Sequence, residues 1–132
     1  MVAVSEVMTA EVATLGPDAT VGEAAGVMVR GGFGSVVVVM GKMLVGILTE
    51  RDVLRAAAEA SDLSVVSVEQ WMTPDPDTAS PDLDTEEAAA EMLSRGYRHL
   101  PVVADGEMVG MVSLRDVLSA VSYTHLRAHE TD

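Results

Sequence analysis

Two stretches of this chain combine a hydroxyl, a cation and a carboxylate at the same spacing: Thr49-Glu50-Arg51-Asp52 and Ser113-Leu114-Arg115-Asp116. A hydroxyl followed three residues later by a carboxylate is a helix-start signature, because the two side chains satisfy amides that the first helical turn leaves open. The same groups suit a nucleotide. A helix N-terminus presents free N–H groups and positive potential to a phosphate. The hydroxyl adds a donor, and a carboxylate one turn in accepts both hydroxyls of a ribose. Arg51 and Arg115 bear on the choice. They stand in the first turn, where the helix dipole disfavours cations, and capping alone gives no reason to place one there twice. An anion nearby relieves the conflict; so does a surface ion pair with Glu50 or another acidic neighbour. Caps alone and a nucleotide clamp both stand as readings of these residues. His99, the one histidine outside the C-terminal tail, reads from its own surroundings as a satisfied structural side chain beside an apolar strand.

The elements that carry these residues occur twice. Met8-Thr9 returns as Met72-Thr73, Pro17-Asp18 as Pro81-Asp82, and Glu23-Ala24-Ala25 as Glu87-Ala88-Ala89. Val45-Gly46 returns as Val109-Gly110, and Arg51-Asp52-Val53-Leu54 as Arg115-Asp116-Val117-Leu118, at one offset and without a gap. Such self-similarity is the mark of a duplicated structural unit. In each copy a helix is expected behind a capping-box spacing, Thr20 with Glu23 and Asp84 with Glu87. Its buried face is read as Val21, Ala24, Ala25, Met28 and Val29, or Thr85, Ala88, Ala89, Met92 and Leu93. A glycine-bearing loop leads to a hairpin, Ser35–Met40 with Met43–Leu48, or His99–Ala104 with Glu107–Val112 around Asp105-Gly106. A last helix starts at Thr49 or Ser113 and is apolar at Val53-Leu54 or Val117-Leu118. With a short first strand, Val12–Thr14 or Thr78-Ala79, each unit reads β-α-β-β-α, an α/β (α+β) class. The expected divisions are a first repeat at 1–60, a linker at 61–66, a second repeat at 67–120 and a tail at 121–132.

Composition bounds the function. The net charge of -13 over 132 residues repels nucleic-acid backbones and anionic lipid heads, so neither nucleic acid nor membrane is an expected partner. Phe33, Trp71, Tyr97 and Tyr123 are the only aromatics, too few for a base-stacking platform. The absence of cysteine excludes disulfides and thiolate chemistry. The longest apolar run, Val36–Met40, is far too short to cross a bilayer, and Met1–Val12 does not read as a signal peptide. The expected compartment is cytoplasmic. No nucleophile is paired with a base, and Asp52 and Asp116 form a pair only by repetition, so no enzyme is expected. From Val121 on, the tail resembles one translated frame of a sequencing adapter. It is set aside from the fold, the His125/His129 pair with it, and a further effector domain, C-terminal or separate, is expected beyond it.

The motifs Gly-Ser-Val-Val-Val-Val and Gly-Ile-Leu-Thr-Glu-Arg-Asp-Val-Leu, with Trp-Met-Thr-Pro, Arg-His-Leu-Pro-Val-Val and Gly-Met-Val-Ser-Leu-Arg-Asp-Val-Leu in the second copy, resemble tandem CBS domains. Together they are similar to a Bateman module over about residues 5 to 120. The resemblance implies two pseudo-symmetric clefts between the repeats and regulation by an adenosyl nucleotide: AMP, ADP, ATP, NAD(H) or S-adenosylmethionine, with no cofactor required. It implies phosphate contact for Thr49 and Ser113, ribose contact for Asp52 and Asp116, and anion contact for Arg51 and Arg115. Ser35 and His99 then face the ligand, and Val12, Thr14 and Thr78 belong to short strands that meet adenine through backbone groups. A homodimer is implied, for which the small helix face Gly22, Ala25 and Gly26 allows close packing. The competing reading is a ligand-free dimerisation or docking module.

Overall fold

The computed structural model of the protein describes residues 1–60 and 62–130, with the helical backbone alone for 123–130. Two compact units divide it: Val12–Pro76, and Met1–Glu11 with the chain from Asp77 onward. These units cut across the sequence repeats, because each repeat's leading segment packs on the body of the other.

In the Val12–Pro76 unit the order is β1 (Thr14–Leu15), α1 (Val21–Gly31), β2 (Ser35–Met40), β3 (Met43–Thr49), α2 (Glu50–Glu59), α3 (Val68–Trp71) and β4 (Thr73–Pro74). The sheet runs β1-β2-β3-β4, with β1 parallel to β2 and the other pairs antiparallel. The β-branched run Val36, Val37 and Val38 fills both faces of β2 with buried side chains. Ala24 and Met28 of α1, Leu48 of β3 and Val68 of α3 complete the core. The helix ends at Gly32, whose φ of 70° is the left-handed conformation that glycine takes without strain.

The other unit contains α4 (Thr85–Arg95), β5 (His99–Ala104), β6 (Glu107–Ser113) and α5 (Leu114–Glu130), preceded by a 3-10 turn at Val4–Glu6. Asp105 and Gly106 both take positive φ, as the tight hairpin between β5 and β6 requires. Its core gathers Val4, Ala88, Met92, Leu100, Val102, Val112 and Val117. The outer strands shrink here to single bridges, Ala79 parallel to Val102 and Thr9 antiparallel to Met111. One cause is a substitution between the repeats. The Val37 N–H donates to the Ala13 carbonyl at 2.9 Å, whereas Pro101, at the equivalent position, has no N–H to donate.

The exchanged segments explain two repeated motifs at once. A side chain at Gly46 would run into Met72, and a Cβ at Gly110 would lie 2.7 Å from Met8 Sδ and 2.9 Å from the Thr9 carbonyl oxygen. Met-Thr and Val-Gly therefore recur together: the methionine lies flat on a strand that has no side chain there.

Several expectations are corrected. The short first strand is Thr14–Leu15 rather than Val12–Thr14, and Thr78 lies outside any strand. Val29 and Leu93, expected on buried faces, are exposed, as are Leu54 and Leu118 of the closing helices. Thr20 caps the Glu23 N–H, but Asp84 caps Glu86 rather than Glu87. Gly22 does not offer an open face, since its amide donates to the Leu63 carbonyl at 2.9 Å and a Cβ there would meet that oxygen. The helix α5 does not stop at Ala120, and Val121 packs on the core. The side chains of His125 and His129 lie outside the described residues.

Candidate functional site

Each hydroxyl-carboxylate motif sits where the second hairpin strand turns into the last helix of its copy. Thr49 ends β3 with extended backbone and caps α2. Its hydroxyl accepts the Asp52 N–H at 3.4 Å and donates to Asp52 Oδ2 at 3.1 Å. Oδ2 also accepts the Thr49 N–H at 2.9 Å, which closes the box. The second oxygen, Oδ1, accepts Arg55 Nη1 at 3.2 Å. With 5% of its surface exposed, Asp52 is buried, and a buried carboxylate needs such partners to offset lost hydration. Arg55 also lies over the Trp71 ring, 5.9 Å from its centroid, within cation–π reach.

In the second copy Ser113 accepts the Asp116 N–H at 3.1 Å. Asp116 is exposed, and no partner holds its carboxylate among the described residues. The difference has a residue-level cause. Ser119 occupies the place of Arg55, and Val7 that of Trp71.

Strand register brings further expected residues to these motifs. Ser35 pairs with Thr49 across β2 and β3, and His99 pairs with Ser113 across β5 and β6. Ser35 is buried and His99 half-buried. Thus Ser35, Thr49 and Asp52 form one group, and His99, Ser113 and Asp116 the other. Arg51 and Arg115 are exposed on the first helical turns, as are Thr14 and Thr78 near the sheet edge, while Val12 is half-buried. Thr14 lies opposite Val37, two residues along β2 from Ser35. Neither Arg51 nor Arg115 forms an ion pair among the described residues, so the alternative reading of a surface pair with Glu50 is not realised.

Sequence reasoning missed Arg55 and a second polar cluster. The Asp77 carboxylate accepts the Tyr97 hydroxyl at 2.8 Å and Arg95 Nη1 at 3.2 Å. The first of these bonds, with burial, pushes the Tyr97 phenol above its ordinary range, against a smaller opposing pull from Arg95. The Arg95 guanidinium is pushed up in turn by Tyr97 and by the Asp77 charge. The first copy has Ala13, Gly31 and Phe33 at these places, an apolar group in which Gly31 leaves room for the Phe33 ring. Three simultaneous polar replacements were a readable signal. For Arg55 the signal was the helical i,i+3 spacing from Asp52.

The CBS domain profile matches residues 4–59 and 68–123. A 17.7 kDa protein from the bps2 3' region of Acidianus ambivalens is 37% identical over 124 residues, 92% of this chain and 74% of that one. Among solved structures, the CBS-domain containing protein ATU1752 from Agrobacterium tumefaciens superposes with a TM-score of 0.83 at 32% identity, over 90% of this chain and 98% of that one. The CBS domain pair of protein MJ0100, solved with 5'-methylthioadenosine and S-adenosyl-L-methionine, shares the fold with a TM-score of 0.84 at 24% identity, covering 93% of this chain and 98% of that one. The chain belongs to the CBS domain family and carries two CBS domains in tandem.

Proposed function

We propose that this CBS pair is a regulatory module that binds an adenosyl compound and catalyses no reaction. The observation that carries the reading is the Ser113–Asp116 motif beside His99. An exposed carboxylate with no internal partner among the described residues stands one turn into a helix, next to a hydroxyl and an imidazole. A ribose is the complement of that carboxylate, since two neighbouring hydroxyls donate to its two oxygens. Phosphate or another anion suits the helix N-terminus and Arg115. The MJ0100 pair, solved with two adenosyl compounds, supports the ligand class. Within it AMP, ADP, ATP, NAD(H) and S-adenosylmethionine are the candidates. Thr14 and Thr78 then serve the base through the outer sheet edge.

We read the module as a homodimer. Leu54 and Leu118 are exposed at equivalent positions of the two copies, as are Val29 and Leu93, and an apolar side chain left twice at the same place suggests a partner.

Thermal melts with AMP, ADP, ATP, NADH and S-adenosylmethionine test the reading. A binder at one hundred times its dissociation constant stabilises the fold by about 2.7 kcal/mol, a shift of several degrees. Asp116→Ala should weaken that binder about tenfold to a hundredfold, through loss of charge-assisted hydrogen bonds. If no compound binds more tightly than about 1 mM, the ligand-free docking module is the better reading.

A further inference from the structure

The two hydroxyl-carboxylate motifs repeat in sequence but not in chemical state. In the first, every carboxylate oxygen is taken: Oδ2 by the Thr49 amide and hydroxyl, Oδ1 by Arg55 at 3.2 Å. Asp52 is 5% exposed, and the Arg55 guanidinium bonded to it, on a side chain 61% exposed, lies over the Trp71 ring. In the second, the Asp116 carboxylate is exposed and has no such partner among the described residues. The cap holds Oδ2, so a ribose hydroxyl meets this carboxylate at Oδ1, where it must displace Arg55.

We infer that Arg55 is an internal plug that keeps the Asp52 carboxylate closed, so that the chain takes up one adenosyl ligand, at Ser113–Asp116. This rests on the adenosyl-binding reading above. The guanidinium stands in for the ligand's hydroxyl donors, and the ring of Trp71, on the exchanged segment, holds it in place. Substitution of Arg55 by serine, the residue already present at 119, removes the plug and leaves the capping box intact.

Trp71 is the only tryptophan and Arg55 lies over its ring, so its emission reports on the plugged site. Calorimetric titrations of AMP, ATP and S-adenosylmethionine, with emission followed in parallel, form the test. The wild type should bind one equivalent of its ligand. Asp116→Asn should weaken that event at least about tenfold. Arg55→Ser should add a second equivalent that changes the emission, and Arg55→Ser with Asp52→Asn should lose it again. Asparagine keeps an acceptor oxygen for the Thr49 amide, so the cap survives this change. Two equivalents in the wild type, binding that survives Asp116→Asn, or a single equivalent in Arg55→Ser would each overturn the inference alone. Heat from no probe in the wild type would overturn the adenosyl reading, and the inference with it.

Discussion

Tyr97 and Arg95 converge on one carboxylate, Asp77, in the second copy only. The Tyr97 hydroxyl donates to Asp77, and this bond favours the protonated phenol in the fold. The folded pKa therefore lies above the unfolded value of about 10. The contribution is fully present below that value and is lost as pH rises through the folded pKa. Melting temperature should fall more steeply above pH about 10 in the wild type than in Tyr97→Phe, which has the ring but not the proton. Parallel curves for the two proteins would show that the bond adds no pH-dependent stability. At this scale the repeats are least alike: Arg55 is replaced by Ser119, and Trp71 and Asp77 stand where the first copy has Val7 and Ala13.

Between elements, the exchange of leading segments rests on two glycines. Gly110 lies beneath Met8 and the Thr9 backbone, and the Thr9 and Met111 amides bond each other's carbonyls at 2.8 and 2.9 Å. A methyl group at 110 has to push backbone, which does not yield like the end of a side chain. Gly110→Ala should cost about 1–3 kcal/mol and speed hydrogen exchange at the Thr9 and Met111 amides. Gly16→Ala is the contrast, because nothing lies within 4 Å of a Cβ there and its φ is not positive. That change should be neutral or stabilise by about 0.4–1 kcal/mol. Equal melting temperatures for both variants would refute the role given to Gly110. The lost strand before α4 follows the same logic, since Pro101 removes the donor that Val37 supplies in the first copy.

For the whole molecule, no helix among the described residues is long and apolar enough to cross a membrane, and the net charge is -13. Such a surface limits self-association to places where charge is absent. Leu54, 71% exposed, and Leu118, 38% exposed, are such places on α2 and α5. Leu54→Glu with Leu118→Glu should convert a dimer to monomer at tens of micromolar in light scattering, with the melting temperature of the monomer little changed because neither side chain is in a core. A mass unaltered by the double substitution would place the contact elsewhere.

The sequence by itself determined the duplication, the helix-hairpin-helix order within each copy and the helix starts. These depend on local spacing, such as alternation along a strand or a hydroxyl three residues before a carboxylate, and a gapless repeat doubles each signal. The family resemblance brought out Ser35 and His99, and hairpin register then sets them opposite Thr49 and Ser113. Tertiary structure decided the rest. Which repeat a Met-Thr segment packs on is a contact distant in sequence, and an identical motif at both places cannot reveal an exchange. Leu54 and Val29 fit a helical period yet lie at its margin, and only the position of the neighbouring elements decides whether a margin is covered. Asp52 and Asp116 share an arginine before them and Val-Leu after them, and each donates its amide to a hydroxyl three residues back. They differ because Arg55, lying over Trp71 of a separate element, bonds one carboxylate, while Ser119 and Val7 supply no such pair at the other.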